Sequence, residues 1–513
     1  MIPFRPEPLS DFTDARVAAA FQEAIDTVGR QLGRHYPMRI GGRRVDAPAQ
    51  IVSVNPSRPD QVVGYAARGS RAEAEAAVQA ALAAFPEWSR TPAEVRARIL
   101  FKAAAIMRRR RHELSAWISY EVGKNWAEAD ADTAEAIDFL EYYGREMLRL
   151  AAPRELVRLP GEENHLVYRP LGVGVIHSPF NFPLAILTGM TAAAVVTGNT
   201  VVVKPSVEAP VVAAKFFDVL EEAGLPDGVA NLLYADPAEV GDYLTTHREV
   251  RFINFTGSRE VGCHIYELAA KVQPGQVFLR RVIAEMGGKD AIIVDGTADL
   301  ESAVDGIVTS AFGFSGQKCS ACSRAIVTAD VYDQVLAAVT ERTQALRIGP
   351  ATARETDVGP VAAERFQKKV MDYIRIGCSE GRLITGGGTR PGGYYVEPTI
   401  FADVSPTARI AQEEIFGPVL AFIRAADFDE ALRIANSTAY ALTGSVYSRN
   451  RNHLERARRE FAVGNLYFNR KCTGALVGAH PFGGFNMSGT DAKTGGPDYL
   501  LLFTLGQTVV ERL

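Results

Sequence analysis

Cys319 lies in the stretch Gly313 to Arg324, GFSGQKCSACSR, at the end of a Gly/Ser/Gln-rich loop that follows a helical run. Loops carry reactive groups, and a thiolate is the best nucleophile available near neutral pH. Cys322 completes a Cys-x-x-Cys pair, the pattern of a redox couple or of half a zinc site. With no second pair and no His cluster nearby, no metal site is expected. Glu285, in AEMGGK (Ala284 to Lys289), ends an apolar strand before two glycines. So partly buried a place raises a carboxyl pKa toward the range of a general base. Gly257 and Gly262 in GSREVG stand at a strand-to-helix junction, where backbone N–H groups and a helix N-terminus are expected to face a phosphate, with Ser258 as an extra donor.

The elements that must position these groups alternate. Val173 to His177, Thr200 to Lys204, Ala230 to Tyr234 and Val250 to Phe255 read as strands, with helices over Val211 to Ala223 and Ala238 to Thr246. This is the βαβ pattern of a parallel, doubly wound α/β sheet, which binds ligands at the C-terminal ends of its strands. A second α/β series starts near Gly288, with strands over Ala291 to Asp295 and Arg324 to Thr328 and a helix over Leu300 to Gly313. Leu150 to Pro170 and Tyr499 to Leu513 interrupt the order, and Gly386-Gly387-Gly388 reads as a surface turn.

Bulk composition excludes several classes. At 513 residues, 47% hydrophobic and 23% charged, the chain has the makeup of a globular protein with room for more than one domain. A net charge of -4, from 56 basic and 60 acidic residues, leaves no electrostatic footprint for nucleic acid or an anionic membrane. The run Arg108 to Arg111 sits in a helical stretch, Ala93 to Lys124, and is expected to form a solvated face. Neither an apolar run of about 18 residues nor a leader pattern is seen, and five cysteines in so long a chain make no disulfide framework. A cytoplasmic protein is expected.

Taken together, GFSGQKCSACSR, AEMGGK and QEEIFGP (Gln412 to Pro418) closely resemble the signatures of the NAD(P)-dependent aldehyde dehydrogenase superfamily. SPFNFP (Ser178 to Pro183), Lys204-Pro205-Ser206, FTGS (Phe255 to Ser258) and PFGGFNMSG (Pro481 to Gly489) add to the likeness, which runs from about residue 50 to the C-terminus. The resemblance implies a Rossmann-like cofactor domain over 1–149 and 171–286, a thiol-bearing catalytic domain over 287–480, and a small β oligomerisation element from 150–170 and 497–513. It implies Cys319 as nucleophile, Asn181 with the Cys319 backbone N–H as oxyanion donors, Glu285 as the base for thioester hydrolysis, and Cys322 as packing. For the cofactor, NAD with NADP as an alternative, it implies Lys204, Ser206, Glu208, Gly257, Ser258, Gly262, Glu414 and Phe416.

Three departures stand out. Val207 occupies the position of a common acid, with Glu208 one place on. Tyr234-Ala235-Asp236 replaces a glycine-bearing loop, and Met190 stands where many relatives have a lysine.

Asn469 to Phe485, NRKCTGALVGAHPFGGF, resembles the branch that oxidises L-glutamate γ-semialdehyde, the 1-pyrroline-5-carboxylate dehydrogenases. RFINFTGSREVG, GGKDAIIVD and VGNLYFNR extend that likeness. In the branch, the loop matching Gly474 and Ala475 holds the substrate α-carboxylate together with Ser320, and Phe182 and Phe482 sandwich the aliphatic chain. A homo-oligomer, as a dimer or an assembly of dimers, and a transient contact with a proline dehydrogenase are implied as well. The alternative is a dehydrogenase of another semialdehyde or of an aliphatic aldehyde.

Overall fold

Two seven-stranded sheets carry the molecule. The computed structural model describes residues 3–154 and 156–513, so Met1, Ile2 and Glu155, which fall inside the cofactor-domain and oligomerisation ranges above, lie outside the described residues. The first sheet runs, in spatial order, Arg281–Glu285, Val250–Thr256, Val173–His177, Thr200–Lys204, Ala230–Leu232, Met38–Ile40 and Arg43–Val45. Its first five strands are parallel, and the last two join antiparallel at the far edge. Val173–His177 and Thr200–Lys204 are buried at every position. Near-continuous β-branched runs are what a sheet covered by helices on both faces demands. The strand expected to reach Tyr234 stops at Leu232, and Tyr234 instead buries its ring in the core.

The second sheet runs Arg382–Thr385, Thr399–Ala402, Val419–Ala425, Cys322–Thr328, Asp290–Val294, Thr443–Tyr447 and Asn465–Phe468, parallel except for its first strand. Separate apolar clusters cover its two faces. Glu162–Pro170 pairs antiparallel with Thr504–Arg512 over nine residue pairs, a two-stranded ribbon with Leu505, Val509 and Val510 exposed along it.

The chain from Pro481 onward returns to the first sheet. Met286 N–H donates to Ser488 O at 2.8 Å and Thr490 N–H to Ala284 O at 2.8 Å, and the 3-10 turn Tyr499–Phe503 packs into the first core.

The basic run differs from expectation. Two helices, Ala93–Arg109 and Arg111–Val122, meet at Arg110 in place of one helix. Each arginine is paired: Arg108 with Glu7 (2.9 Å) and Glu141 (2.7 Å), Arg109 with Glu222 (2.8 Å), Arg110 with Glu113 (2.9 Å) and Arg111 with Asp130 (2.6 Å). The run ties helices to one another, and no unpaired basic face results. No described helix is long and apolar enough to cross a membrane.

Candidate active site

Cys319 is delivered by a strained loop. After the helix Leu300–Phe312, Phe314 (φ 48°), Ser315 (φ 54°) and Gly316 (φ 68°) all take left-handed backbone, a conformation that non-glycine residues hold only when their surroundings enforce it. Two bonds do the enforcing. Ser315 Oγ donates to Gly359 O at 2.6 Å, and Gln317 Oε1 accepts from Ala362 N–H at 2.9 Å. A side chain at Gly316 would bring its Cβ within 2.3 Å of Gly417 O, so glycine is required at this crossing. The thiol pKa is pushed well above its usual value, first by burial and then by the carboxylates of Asp290, Glu414 and Glu285.

Glu285 closes the strand Arg281–Glu285, and both its carboxylate oxygens are buried without a hydrogen-bond partner among the described residues. Burial raises its pKa to about 8 against the opposing pull of Lys493. Such a group is mostly protonated at neutral pH and becomes a base just above it. The two glycines that follow are explained by close approach. A Cβ at Gly287 would lie 2.4 Å from Glu414 Oε2, and one at Gly288 would lie 2.2 Å from the carbonyl oxygen of Cys319. Gly288 N–H also donates to Glu414 Oε1 at 2.9 Å.

Cys319 lines two cavities. The larger, of about 590 Å³, is also lined by Asn181, Lys204, Ser206, Glu208, Gly257, Ser258, Glu414 and Phe416. Asn181 sits in the bend between Val173–His177 and the helix Ala185–Val196, and it does not cap that helix: Ala185 N–H is taken by Asp132 Oδ1 at 2.7 Å. Lys204 ends its strand with a pKa lowered by burial to about 8, partly offset by Glu208 and Asp236. Glu208 accepts from Ser206 Oγ and from Arg365 Nε (2.9 Å), so the acid is present but already paired with a guanidinium from the helix Glu364–Glu380.

The glycines of GSREVG act differently from the expectation. Gly257 N–H donates to Glu285 O at 3.0 Å and Gly262 N–H to Ser258 O at 2.9 Å, so neither is free for a phosphate. Their role is steric. A Cβ at Gly257 would meet the Phe255 ring at 2.5 Å, and one at Gly262 would meet Met286 Sδ at 2.4 Å; Gly262 itself does not line the cleft. Ser258 is the N-cap of the helix Arg259–Ala270, its Oγ accepting from Val261 N–H at 3.4 Å, and both residues line the cleft, so the helix N-terminus named with the glycines in the sequence opens there.

The smaller cavity, of about 110 Å³, is lined by Cys319, Glu285, Phe182, Ser320, Gly474, Ala475 and Phe482. Gly474 is left-handed (φ 72°), and its carbonyl and that of Thr473 accept from Arg470 Nη2 at 3.0 and 3.1 Å. The N–H groups of Gly474 and Ala475 have no acceptor among the described residues. Met190 also lines this cavity, and Thr256 Oγ1 donates to its Sδ at 3.6 Å. Cys322 belongs to the buried core beside Cys472, in keeping with a packing role.

Sequence reasoning missed Glu135, which lines the smaller cavity. It lies on the helix Trp126–Ala151 with Glu128 and Asp132, at the i, i+4, i+7 spacing that places all three on one face. Glu128 pairs with Lys318 (2.6 Å) and Asp132 with Lys124 (2.9 Å), whereas Glu135 has no cationic partner among the described residues. Burial, and next Asp132, raise its pKa to about 8. The spacing in NWAEADADTAEA was the available signal.

A fold of this kind, with a thiol lining both a large cleft and a smaller pocket, defines a class, and the aldehyde dehydrogenase family profile matches residues 44–509. The chain belongs to the aldehyde dehydrogenase family. It is 60% identical over 510 residues to the 1-pyrroline-5-carboxylate dehydrogenase of Geobacillus kaustophilus, covering 99% of each chain. The structure of a Thermus 1-pyrroline-5-carboxylate dehydrogenase with bound NAD superposes with a TM-score of 0.99 at 55% identity, covering all of both chains. Proline utilization A from Bdellovibrio bacteriovorus matches at 46% identity and a TM-score of 0.98, over 99% of this chain and 53% of that one.

Proposed function

We propose that this protein oxidises L-glutamate γ-semialdehyde, the open form of 1-pyrroline-5-carboxylate, to L-glutamate with NAD. The observation that carries the reading is the position of Cys319, which lines both the large cleft and the 110 Å³ pocket that Gly474 and Ala475 also line.

The residues present fit a dinucleotide: the cleft is large enough, and the Ser258-capped N-terminus of the helix Arg259–Ala270 opens onto it through Ser258 and Val261. When bound, NAD supplies the hydride acceptor. Lys204 and Glu208 would hold the adenosine ribose, Glu414 the nicotinamide ribose, and Phe416 would pack beside the ring.

Cys319 Sγ gives up its proton to solvent in the cleft and attacks the aldehyde carbon, giving a tetrahedral thiohemiacetal. The side-chain amide of Asn181 and the backbone N–H of Cys319 donate to the oxyanion. Loss of hydride from that carbon leaves a thioester on Cys319. Glu285 then takes a proton from water as the water attacks the thioester, and glutamate departs with the thiol restored.

The substrate's two ends meet complementary groups. Gly474 N–H, Ala475 N–H and Ser320 Oγ receive the α-carboxylate, Phe182 and Phe482 flank the methylenes, and Glu135 faces the α-ammonium. A group that carries both charges needs both partners, which favours this aldehyde over a simple aliphatic one.

The first sheet with its helices serves as the cofactor domain and the second as the catalytic domain. The ribbon Glu162–Pro170 with Thr504–Arg512 supports a homo-oligomer built on its exposed apolar edge. A transient contact with a proline dehydrogenase fits the match to proline utilization A, and a cytoplasmic setting fits five unpaired cysteines. NADH formation from 1-pyrroline-5-carboxylate, compared with succinic semialdehyde and hexanal, tests the assignment. Equal turnover of all three would overturn the choice of substrate.

A further inference from the structure

Residues 3–14, ahead of the first helix, Ala15–Gly29, form a strap laid along the helix Trp126–Ala151. It is pinned at several points. Glu7 N–H donates to Asp138 Oδ1 at 2.7 Å, Ser10 donates from both N–H and Oγ to Asp130 at 2.8 Å, and Arg354 donates to Phe12 O at 2.7 Å. The Glu7 carboxylate pairs with Arg108 at 2.9 Å, and Phe12 packs edge-on to Phe21 and Trp126. So many long-range bonds on so short a segment indicate a fixed element rather than a loose end.

The far end of the strap reaches the substrate loop. The Phe4 ring lies edge-on to Tyr142 with centroids 5.2 Å apart, and a Cβ at Gly478 would come within 3.0 Å of both rings. Gly478, left-handed at φ 75°, is therefore wedged between Phe4 and Tyr142. It stands four residues after Gly474 in a tight turn: His480 N–H donates to Leu476 O at 2.8 Å, Leu476 N–H to His480 Nδ1 at 3.1 Å, and Gly478 N–H to Gly495 O at 2.9 Å. Leu476, Val477 and His480 of that turn line the smaller cavity. The helix beneath the strap thus holds it through Asp130, Asp138 and Tyr142 and lines the cavity through Glu135 and Phe139, with Glu135 and Tyr142, seven residues apart, on one face.

We infer that Phe4 is a positioning residue for substrate specificity: the strap clamps Gly478 against Tyr142 and so fixes the loop whose N–H groups at Gly474 and Ala475 receive the substrate carboxylate. The strap lies outside residues 44–509, the part shared across the family, which suits a role in choosing the substrate and not in the common chemistry. The inference rests on the amino-acid aldehyde reading above.

Phe4→Ala and Phe4→Leu are compared with wild type on L-glutamate γ-semialdehyde and on propanal. In Phe4→Ala, KM for the semialdehyde should rise about fivefold or more, ~1 kcal/mol, with kcat, KM for NAD and kcat/KM for propanal within about twofold of wild type. Phe4→Leu, which keeps an apolar wedge, should recover most of the loss. Should Phe4→Ala not give folded protein, Phe4→Val carries the same comparison. An unchanged ratio between the two substrates, or equal losses on both, would overturn the role of the strap. Failure of wild type itself to use the semialdehyde would instead overturn the proposed function.

Discussion

The ammonium of Lys124 stands 3.6 Å over the ring of Phe182, and both the lysine and its ion-pair partner Asp132 are fully buried. Phe182 is thus held by a cation above its face, and Asp132 at the same time caps the helix that follows Phe182 through Ala185 N–H. One buried pair orients a wall of the substrate pocket and the segment carrying Asn181. Lys124→Met removes the cation and leaves a carboxylate buried alone, which costs ~3–5 kcal/mol. Thermal unfolding should show Tm lowered by about 3–5 °C in a chain of this size, and a shift of under about 1 °C would mean that the pair does not hold this region.

Glu285→Gln should stop the cycle after hydride transfer, because an amide cannot take a proton from water. Rapid mixing should show a burst of NADH near one per active site, followed by slow turnover. A variant that binds substrate without a burst would place Glu285 earlier in the reaction.

The pKa of Glu285, about 8, sets a pH dependence. A carboxyl raised to that value is protonated below it, and the protonated form is no base. Thioester hydrolysis should therefore rise about tenfold per pH unit up to about pH 8 and level off above. Single-turnover deacylation measured from about pH 6 to 9 checks this, and a flat profile would remove Glu285 from the step.

Glu135, protonated at neutral pH in the free enzyme, is ionised when the α-ammonium of the substrate arrives beside it, and so predicts selectivity for that end. Glu135→Gln should raise KM for glutamate semialdehyde about tenfold, ~1.4 kcal/mol, and leave propanal unaffected. Equal effects on both would make Glu135 a structural acid only.

Cofactor choice turns on the pairing of Glu208 with Arg365. A carboxylate already neutralised repels a 2′-phosphate weakly, so the preference for NAD should be modest. Glu208→Gln, which frees Arg365 beside Lys204, should shift the ratio of kcat/KM toward NADP by about tenfold or more. A wild-type preference for NAD beyond about a thousandfold, ~4 kcal/mol, would contradict this account of Glu208.

Much of this was legible in the sequence where local chemistry dictates local structure. Buried strands such as Thr200–Lys204 announce themselves by composition, whereas Cys319 and Glu285 were singled out because the motifs around them resemble those of the family. The sequence was silent on what depends on distant partners. Whether Gly257 N–H is free depends on Glu285 O, 28 positions on, and whether Glu208 is a free acid depends on Arg365. Glu135 was not singled out, because which acids of its helix are neutralised depends on Lys318 and Lys124, the distant partners of Glu128 and Asp132. The four arginines at 108–111 read as a solvated face because, Glu113 apart, their acidic partners Glu7, Asp130, Glu141 and Glu222 are remote in sequence.

The central claim is that Cys319 carries the substrate as a thioester that Glu285 resolves. Glu285→Gln, mixed with 1-pyrroline-5-carboxylate and NAD and quenched in acid, should carry a single glutamyl group, and peptide mass analysis should locate it on Cys319. An adduct on Cys322 or another side chain, or full NADH release with no adduct at all, would contradict the account.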